Sequence, residues 1–188
     1  MTGARVLVDS SKRPEHGALL HLVDGIRPYF VRMVRDPRAV AFSRQRRKST
    51  PQGEMARYGP VHVASRWMSR NLASHMVRRR HGTGRSLLVR YEDFIASPPS
   101  TILRIAELVE ERPSRLPFQD ENTARLGVNH AVCGNPSRFE TGTVKLRLDE
   151  EWKSGQGRID RVVSTAMTLP FLPRYRYPIF PGRTWSRA

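Results

Sequence analysis

Cysteine is almost missing from this chain. Cys133 stands alone among 188 residues, so no intrachain disulfide can form and zinc-ligand spacing is absent. Long apolar runs are missing as well. None approaches the roughly 18 residues that span a bilayer, and charged residues interrupt every early apolar run, so no secretory signal pattern is present. A soluble, cytoplasmic protein is the expectation, with no membrane partner. Acidic residues are scarce: 17 Asp and Glu stand against 33 Lys and Arg, a formal net charge of +16. Few of these cations are Lys. There is no internal repeat.

Such a balance points to anionic partners: nucleic acid, an acidic membrane surface, or anionic small molecules. The charge is spread along the chain, whereas a nucleic-acid arm is a concentrated block. The nearest blocks are Arg44-Gln45-Arg46-Arg47-Lys48 and Arg78-Arg79-Arg80. Both fall at the ends of predicted helices, where cations complement the helix dipole, and each reads equally well as a solvated basic face.

The length suits one domain, spanning 1–188, with a full core. Residues 5–8 read as a buried strand and 15–24 as an amphipathic helix ending near Gly25. Residues 29–34 read as a second strand and 37–47 as a second helix. That order predicts a right-handed βαβ unit with parallel strands. A polar loop at 48–60 precedes a long helix to about residue 80. A third strand is predicted over 86–90 and a helix over 98–111, and beyond residue 112 the pattern becomes irregular. Short helices near 149–153 and 158–168 come before an aromatic, Pro-rich tail.

Two strand-turns carry chemistry. In Val31-Arg32-Met33-Val34-Arg35-Asp36-Pro37, Asp36 is an N-cap and Pro37 occupies the first helical position. Arg35 therefore stands where a strand gives way to a helix N-terminus, a place suited to anions, and a guanidinium there can grip a phosphate with two prongs. Ser43 and Arg47 follow on one helix face; the alternatives are a hydroxyl bonded back to its own helix and a solvated cation. In Asp9-Ser10-Ser11-Lys12 a lysine follows the first predicted strand, where doubly wound sheets bind ligands, or it is an exposed turn lysine.

The runs Val8-Asp9-Ser10-Ser11-Lys12, Val34-Arg35-Asp36-Pro37-Arg38-Ala39-Val40-Ala41-Phe42-Ser43, Val89-Arg90-Tyr91-Glu92-Asp93-Phe94 and His130-Ala131-Val132-Cys133-Gly134-Asn135-Pro136-Ser137-Arg138-Phe139 occur in that order. Together they resemble the sulfotransferases that use 3′-phosphoadenosine 5′-phosphosulfate (PAPS), of the carbohydrate and tyrosyl-protein type and their bacterial relatives. The resemblance implies an α/β fold: a three-layer, P-loop-NTPase-like domain with a mainly parallel sheet. It implies transfer of a sulfuryl group from PAPS to a hydroxyl or amine acceptor, without a metal. By that resemblance Arg35 and Ser43 grip the nucleotide's 3′-phosphate, with Arg47 as third contact. Tyr91 contacts the nucleotide or packs at a strand–helix junction. Asn129, Asn135 and Arg138 belong to the loop folding over the cofactor, and Lys12 steadies the leaving oxygen. Trp67 and Asn71 recur in the family and read as packing.

One family element is not in the sequence. Relatives begin with a strand and a Gly/Ser/Thr-rich loop that wraps the 5′-phosphosulfate. Gly82-Thr83-Gly84-Arg85-Ser86 precedes a strand instead of following one and reads as a helix C-cap and loop. The fold is thus expected to be N-terminally truncated, and the usual catalytic base would lie upstream. His130 is a substitute base or a structurally bonded loop histidine. The chain is then a piece of a working enzyme whose true start precedes Met1, a subunit completed by another chain, or a remnant that binds adenosine 3′,5′-bisphosphate without catalysis. Self-association through an uncovered sheet edge goes with that truncation. The acceptor cannot be read from the sequence; its pocket is expected to involve the 48–66 loop, where Lys48, Arg57 and His62 are either pocket residues or simply solvated. A basic nucleic-acid-binding protein is a further alternative, resting on charge alone.

Overall fold

The computed structural model describes residues 5–10, 12–50, 53–128 and 140–180. A short helix α1 (Pro14–Leu19) runs into a single 3-10 turn at Leu20–Leu22. Strand β1 (Phe30–Val34) then leads into helix α2 (Pro37–Gln45). The start of α2 follows the local rules: Asp36 accepts a hydrogen bond from the Arg38 backbone N–H at 2.9 Å, and Pro37 occupies the first turn. Two-residue strands β2 (Ser49–Thr50) and β3 (Gly53–Glu54) pair as a small antiparallel ribbon. The predicted loop there is thus folded back on itself.

Helix α3 (Pro60–His81) is the longest element. It ends at Gly82, whose φ of +88° is open to glycine and costly for other residues. The reading of this segment as a C-cap and loop holds. Strand β4 (Ser86–Arg90) follows, then helices α4 (Tyr91–Ala96) and α5 (Pro98–Leu108), divided at Ser97 before Pro98. β1 and β4 pair in parallel, Phe30 opposite Ser86 and Val34 opposite Arg90. α3 runs back along them. Its Trp67 reaches the C-terminal end of β1, where the indole N–H donates to the Arg35 carbonyl at 3.1 Å. Its His81 ring lies 4.8 Å from that of Phe30 at the other end.

Parallel pairing among the described residues is confined to β1 and β4. Residues 5–8 form no strand; Leu7 and Val8 are almost fully exposed, and the segment has no pairing neighbour. The apolar pattern is there, but a strand needs a ladder to satisfy its backbone. The expected βαβ unit from 5–8 to 29–34 is therefore replaced by β1 pairing with β4. The region beyond 112 is more regular than expected. Strands β5 (Phe118–Asp120), β6 (Thr123–Leu126) and β7 (Gly142–Lys145) form an antiparallel sheet in sequence order. Helices α6 (Trp152–Gly155) and α7 (Arg158–Thr168) follow close to their predicted places.

The aromatic tail is core. Tyr175 and Tyr177 are buried with Val34, Trp67 and Leu172, and Phe171 packs against them. Trp67 meets Phe171 and Tyr175 edge-on, with ring centroids 5.9 and 5.7 Å apart, a favourable aromatic geometry. α2, α3 and α7 pack against one another. At Gly155 the Phe42 ring comes so close that a Cβ would sit 2.8 Å from it, which fixes how α6 lies on α2.

Candidate functional site

The parallel register decides where the site forms. Because Val34 stands opposite Arg90, the next residues, Arg35 and Tyr91, leave the sheet side by side at its C-terminal edge. The Arg35 guanidinium lies over the Tyr91 ring, 4.6 Å from its centroid, within cation–π range. The Tyr91 hydroxyl donates to the Arg147 carbonyl at 3.3 Å. The Arg35 carbonyl is held by Trp67, so backbone and side chain are both fixed.

An anion already sits on this guanidinium. The Asp149 carboxylate is 3.0 Å from Arg35 Nη2, which also donates to the Asp149 backbone carbonyl at 3.1 Å. Arg46 approaches the same carboxylate at 3.6 Å and pairs with Glu151. Partial burial works to raise the Asp149 pKa, but the hydrogen bond and charge of Arg35, with help from Arg46, hold it below the ordinary carboxylate value. Arg35 Nε remains buried with no hydrogen-bond partner. One prong of the fork is thus unused.

Ser43, two turns along α2, accepts a 2.7 Å hydrogen bond from Lys48 Nζ. Lys48 is half-buried, and burial followed by the charges of Arg46, Arg44 and Arg35 lowers its pKa, against a weaker opposing pull from Asp149. This lysine is therefore part of the Arg35 group, not a solvated loop residue. Arg47 is exposed and makes no hydrogen bond or ion pair among the described residues. Its neighbour Arg46 faces Asp149 instead. Lys12 is exposed, with a left-handed φ of +62°; the partners of Arg35 do not include it. Asn129, His130, Asn135 and Arg138 lie outside the described residues.

Around this group the motifs turn structural. Arg38 is fully buried and forks onto Asp36, Nε to Oδ1 at 2.9 Å and Nη2 to Oδ2 at 2.7 Å. Its remaining Nη1 donates to the Ile179 carbonyl at 3.2 Å, tying the tail to α2. Glu92 accepts from the Asp36 backbone N–H at 3.2 Å and from the Tyr177 hydroxyl at 2.8 Å. Burial and then the Glu92 charge push the Tyr177 pKa upward, so this phenol stays protonated and donating. Asn71 caps back onto the Trp67 carbonyl at 2.8 Å. Sequence reasoning missed Asp149 and Arg46 as site residues. The available signal was the acidic run Asp149-Glu150-Glu151 in an otherwise basic chain.

A family model described as the sulfotransferase family matches residues 2–112. The chain belongs to the sulfotransferase family. The matched span contains Arg35, Ser43, Lys48 and Tyr91, and ends before Asp149. Neither the search of curated proteins nor that of solved structures gave a match. Membership of the sulfotransferases supports a transferase acting on sulfuryl groups in general, and no helix among the described residues is long and apolar enough to cross a membrane.

Proposed function

We propose that this sulfotransferase uses PAPS and seats its 3′-phosphate against Arg35, Ser43 and Lys48, with Tyr91 beside it. One observation carries the reading: the Arg35 guanidinium is fixed at the parallel strand ends, already holds a carboxylate, and keeps Nε unpaired. A phosphate has oxygens enough to take both that Nε and the prong now given to Asp149. Lys48 supplies a second cation, and its hydrogen bond presents the Ser43 hydroxyl as a donor. The residues present therefore fit the 3′-phosphate end of the group.

When bound, PAPS supplies an activated sulfuryl group for a hydroxyl or amine acceptor. The chain's own residues hold the nucleotide by its 3′ end and keep it in register with the sheet. Lys12 is assigned to the charge that develops on the leaving oxygen, and Asn129, Asn135 and Arg138 to the loop that covers the nucleotide. In this reading the chain is one domain of the three-layer, P-loop-like type, working in the cytoplasm.

Calorimetry with adenosine 3′,5′-bisphosphate tests the nucleotide claim. The expected result is one-to-one binding that weakens in Arg35→Ala; no binding by the native chain sinks the claim. Transfer of radiolabelled sulfate from PAPS to a panel of hydroxyl and amine acceptors then separates an enzyme from a nucleotide-binding remnant.

A further inference from the structure

A second cationic cleft lies away from Arg35, between the tail and the last turns of α3. A cavity of about 280 Å³ is lined by Arg32, Arg78, Ser86, Leu88, Arg174 and Tyr175. Arg32 lies on β1, three residues before Arg35, which follows the strand's end, about 10 Å along extended chain. Ser86 and Leu88 come from β4, Arg78 from α3, and Arg174 from the 3-10 turn at Pro173–Tyr175. Four separate segments thus converge, each bringing hydrogen-bond donors or a wall.

The donors outnumber their acceptors. Arg32 Nη2 donates to the Tyr175 hydroxyl at 3.2 Å, but Arg32 Nε is buried without a partner, as is Ser86 Oγ. Arg174 Nη2 lies 2.8 Å from His75 Nε2. A guanidinium only donates, so His75 accepts through Nε2 and carries its proton on Nδ1, which is also buried and unpartnered. No ion pair among the described residues reaches Arg32, Arg78 or Arg174. Burial first, and then the charges of Arg78 and Arg174, lower the Arg32 pKa. Burial and four arginines, Arg174, Arg32, Arg79 and Arg78, lower that of His75.

We propose that this cleft is a second oxyanion site, which takes a tetrahedral sulfate or phosphate group, free or as the head of an ester, independently of the nucleotide seat at Arg35. Such a group carries the negative charge that three neighbouring guanidinium groups need. It also has acceptor oxygens enough for Arg32 Nε–H, the Ser86 hydroxyl and the arginine forks. The cavity lies near the lower end of small-molecule pocket volumes, and its walls come from four segments of the fold, unlike the open basic stripe that tracks a nucleic-acid backbone.

The test uses the full chain and calorimetry with sodium sulfate, glucose 6-sulfate and glucose 6-phosphate, with chloride holding the ionic strength constant. Saturable one-to-one binding is expected. An Arg78→Gln/Arg174→Gln double variant should weaken it about tenfold or more, while Arg35→Ala leaves it within twofold. Tighter binding of the esters than of sodium sulfate assigns the ligand as an ester; equal binding assigns the free ion. Circular dichroism confirms that the double variant is folded. An NMR titration of His75 gives an independent readout: sulfate should move its pKa upward in the native chain and not in the double variant. Absence of saturable binding, equal affinity in the double variant, or equal loss in Arg35→Ala overturns the second site.

Discussion

The guanidinium of Arg35 rests on the ring of Tyr91, 4.6 Å from its centroid, because the two residues follow a matched pair at the end of a two-stranded parallel sheet. Neither chain segment reaches this geometry alone. The strand register delivers both side chains, and Trp67 on α3 pins the Arg35 carbonyl. The cation is thus aimed before any ligand arrives, which lowers the ordering cost of binding.

Removing the Arg35 charge should cost adenosine 3′,5′-bisphosphate affinity. A charge-assisted hydrogen bond contributes about 1.5–3 kcal/mol, so Arg35→Ala should weaken binding about tenfold to a hundredfold. Arg35→Lys keeps the charge but loses the fork and the planar contact with Tyr91, and should fall between the two. Calorimetry on the three proteins ranks them, and a lysine variant equal to the native chain would reject two-pronged recognition.

Asp149 competes for the same guanidinium. Asp149→Asn keeps the shape and removes the charge, so nucleotide affinity should rise several-fold if phosphate displaces this carboxylate. The same change alters acid stability. The native Asp149 pKa lies below its ordinary value of 3.8. Its stabilising contribution is therefore complete above that value and lost as pH falls through the lower native pKa. Acid unfolding should show the native chain losing more stability than Asp149→Asn below about pH 4. Identical acid limbs would mean that the ion pair adds nothing to folding.

Lys48 gives the pocket a basic limit. Burial and three arginines lower its pKa, so the free protein gives up this proton earlier than an ordinary lysine does. A bound 3′-phosphate favours the charged form and brings the proton back. Affinity for adenosine 3′,5′-bisphosphate should then decline as pH rises through the lowered Lys48 pKa, with proton uptake on binding. Calorimetry in buffers of different ionisation enthalpy reads that uptake. In Lys48→Met the affinity should be weaker at neutral pH and the uptake absent.

The part of this site that was legible in the sequence is the part built by neighbours in the chain. Val34-Arg35-Asp36-Pro37 specifies a strand end, an N-cap and a helix start by local rules, and the structure forms all three. Asp149 is 114 residues beyond Arg35, and no periodicity links them. Lys48 looked like a loop residue because only the tertiary fold shows that it is half-buried on Ser43. Val6-Leu7-Val8 illustrates the opposite error: the residues favour a strand, but pairing is a property of two segments. The strands β5 to β7 went unseen because each has only three or four residues, too few for an alternation to stand out from the surrounding polar chain. The Pro-rich tail resembled a loop in composition, yet its aromatics complete the core around Trp67.

The two arginines of the Arg35-Asp36-Pro37-Arg38 turn should fail in different ways. Arg38 is fully buried and holds Asp36 through two short bonds. Arg38→Met leaves that carboxylate buried without its counter-charge, and breaking such a pair costs about 3–5 kcal/mol. With roughly 2–4 °C of melting temperature per kcal/mol for a domain of this size, the loss should be on the order of 10 °C. Arg35 is partly exposed, and Asp149 keeps contact with water and with Arg46 when it is removed. Arg35→Met should therefore cost only about 1 kcal/mol or less in stability, while nucleotide affinity drops as for Arg35→Ala. Thermal unfolding paired with calorimetry separates the two outcomes. An Arg38→Met protein that melts like the native chain and no longer binds nucleotide would move the phosphate contact from Arg35 to Arg38.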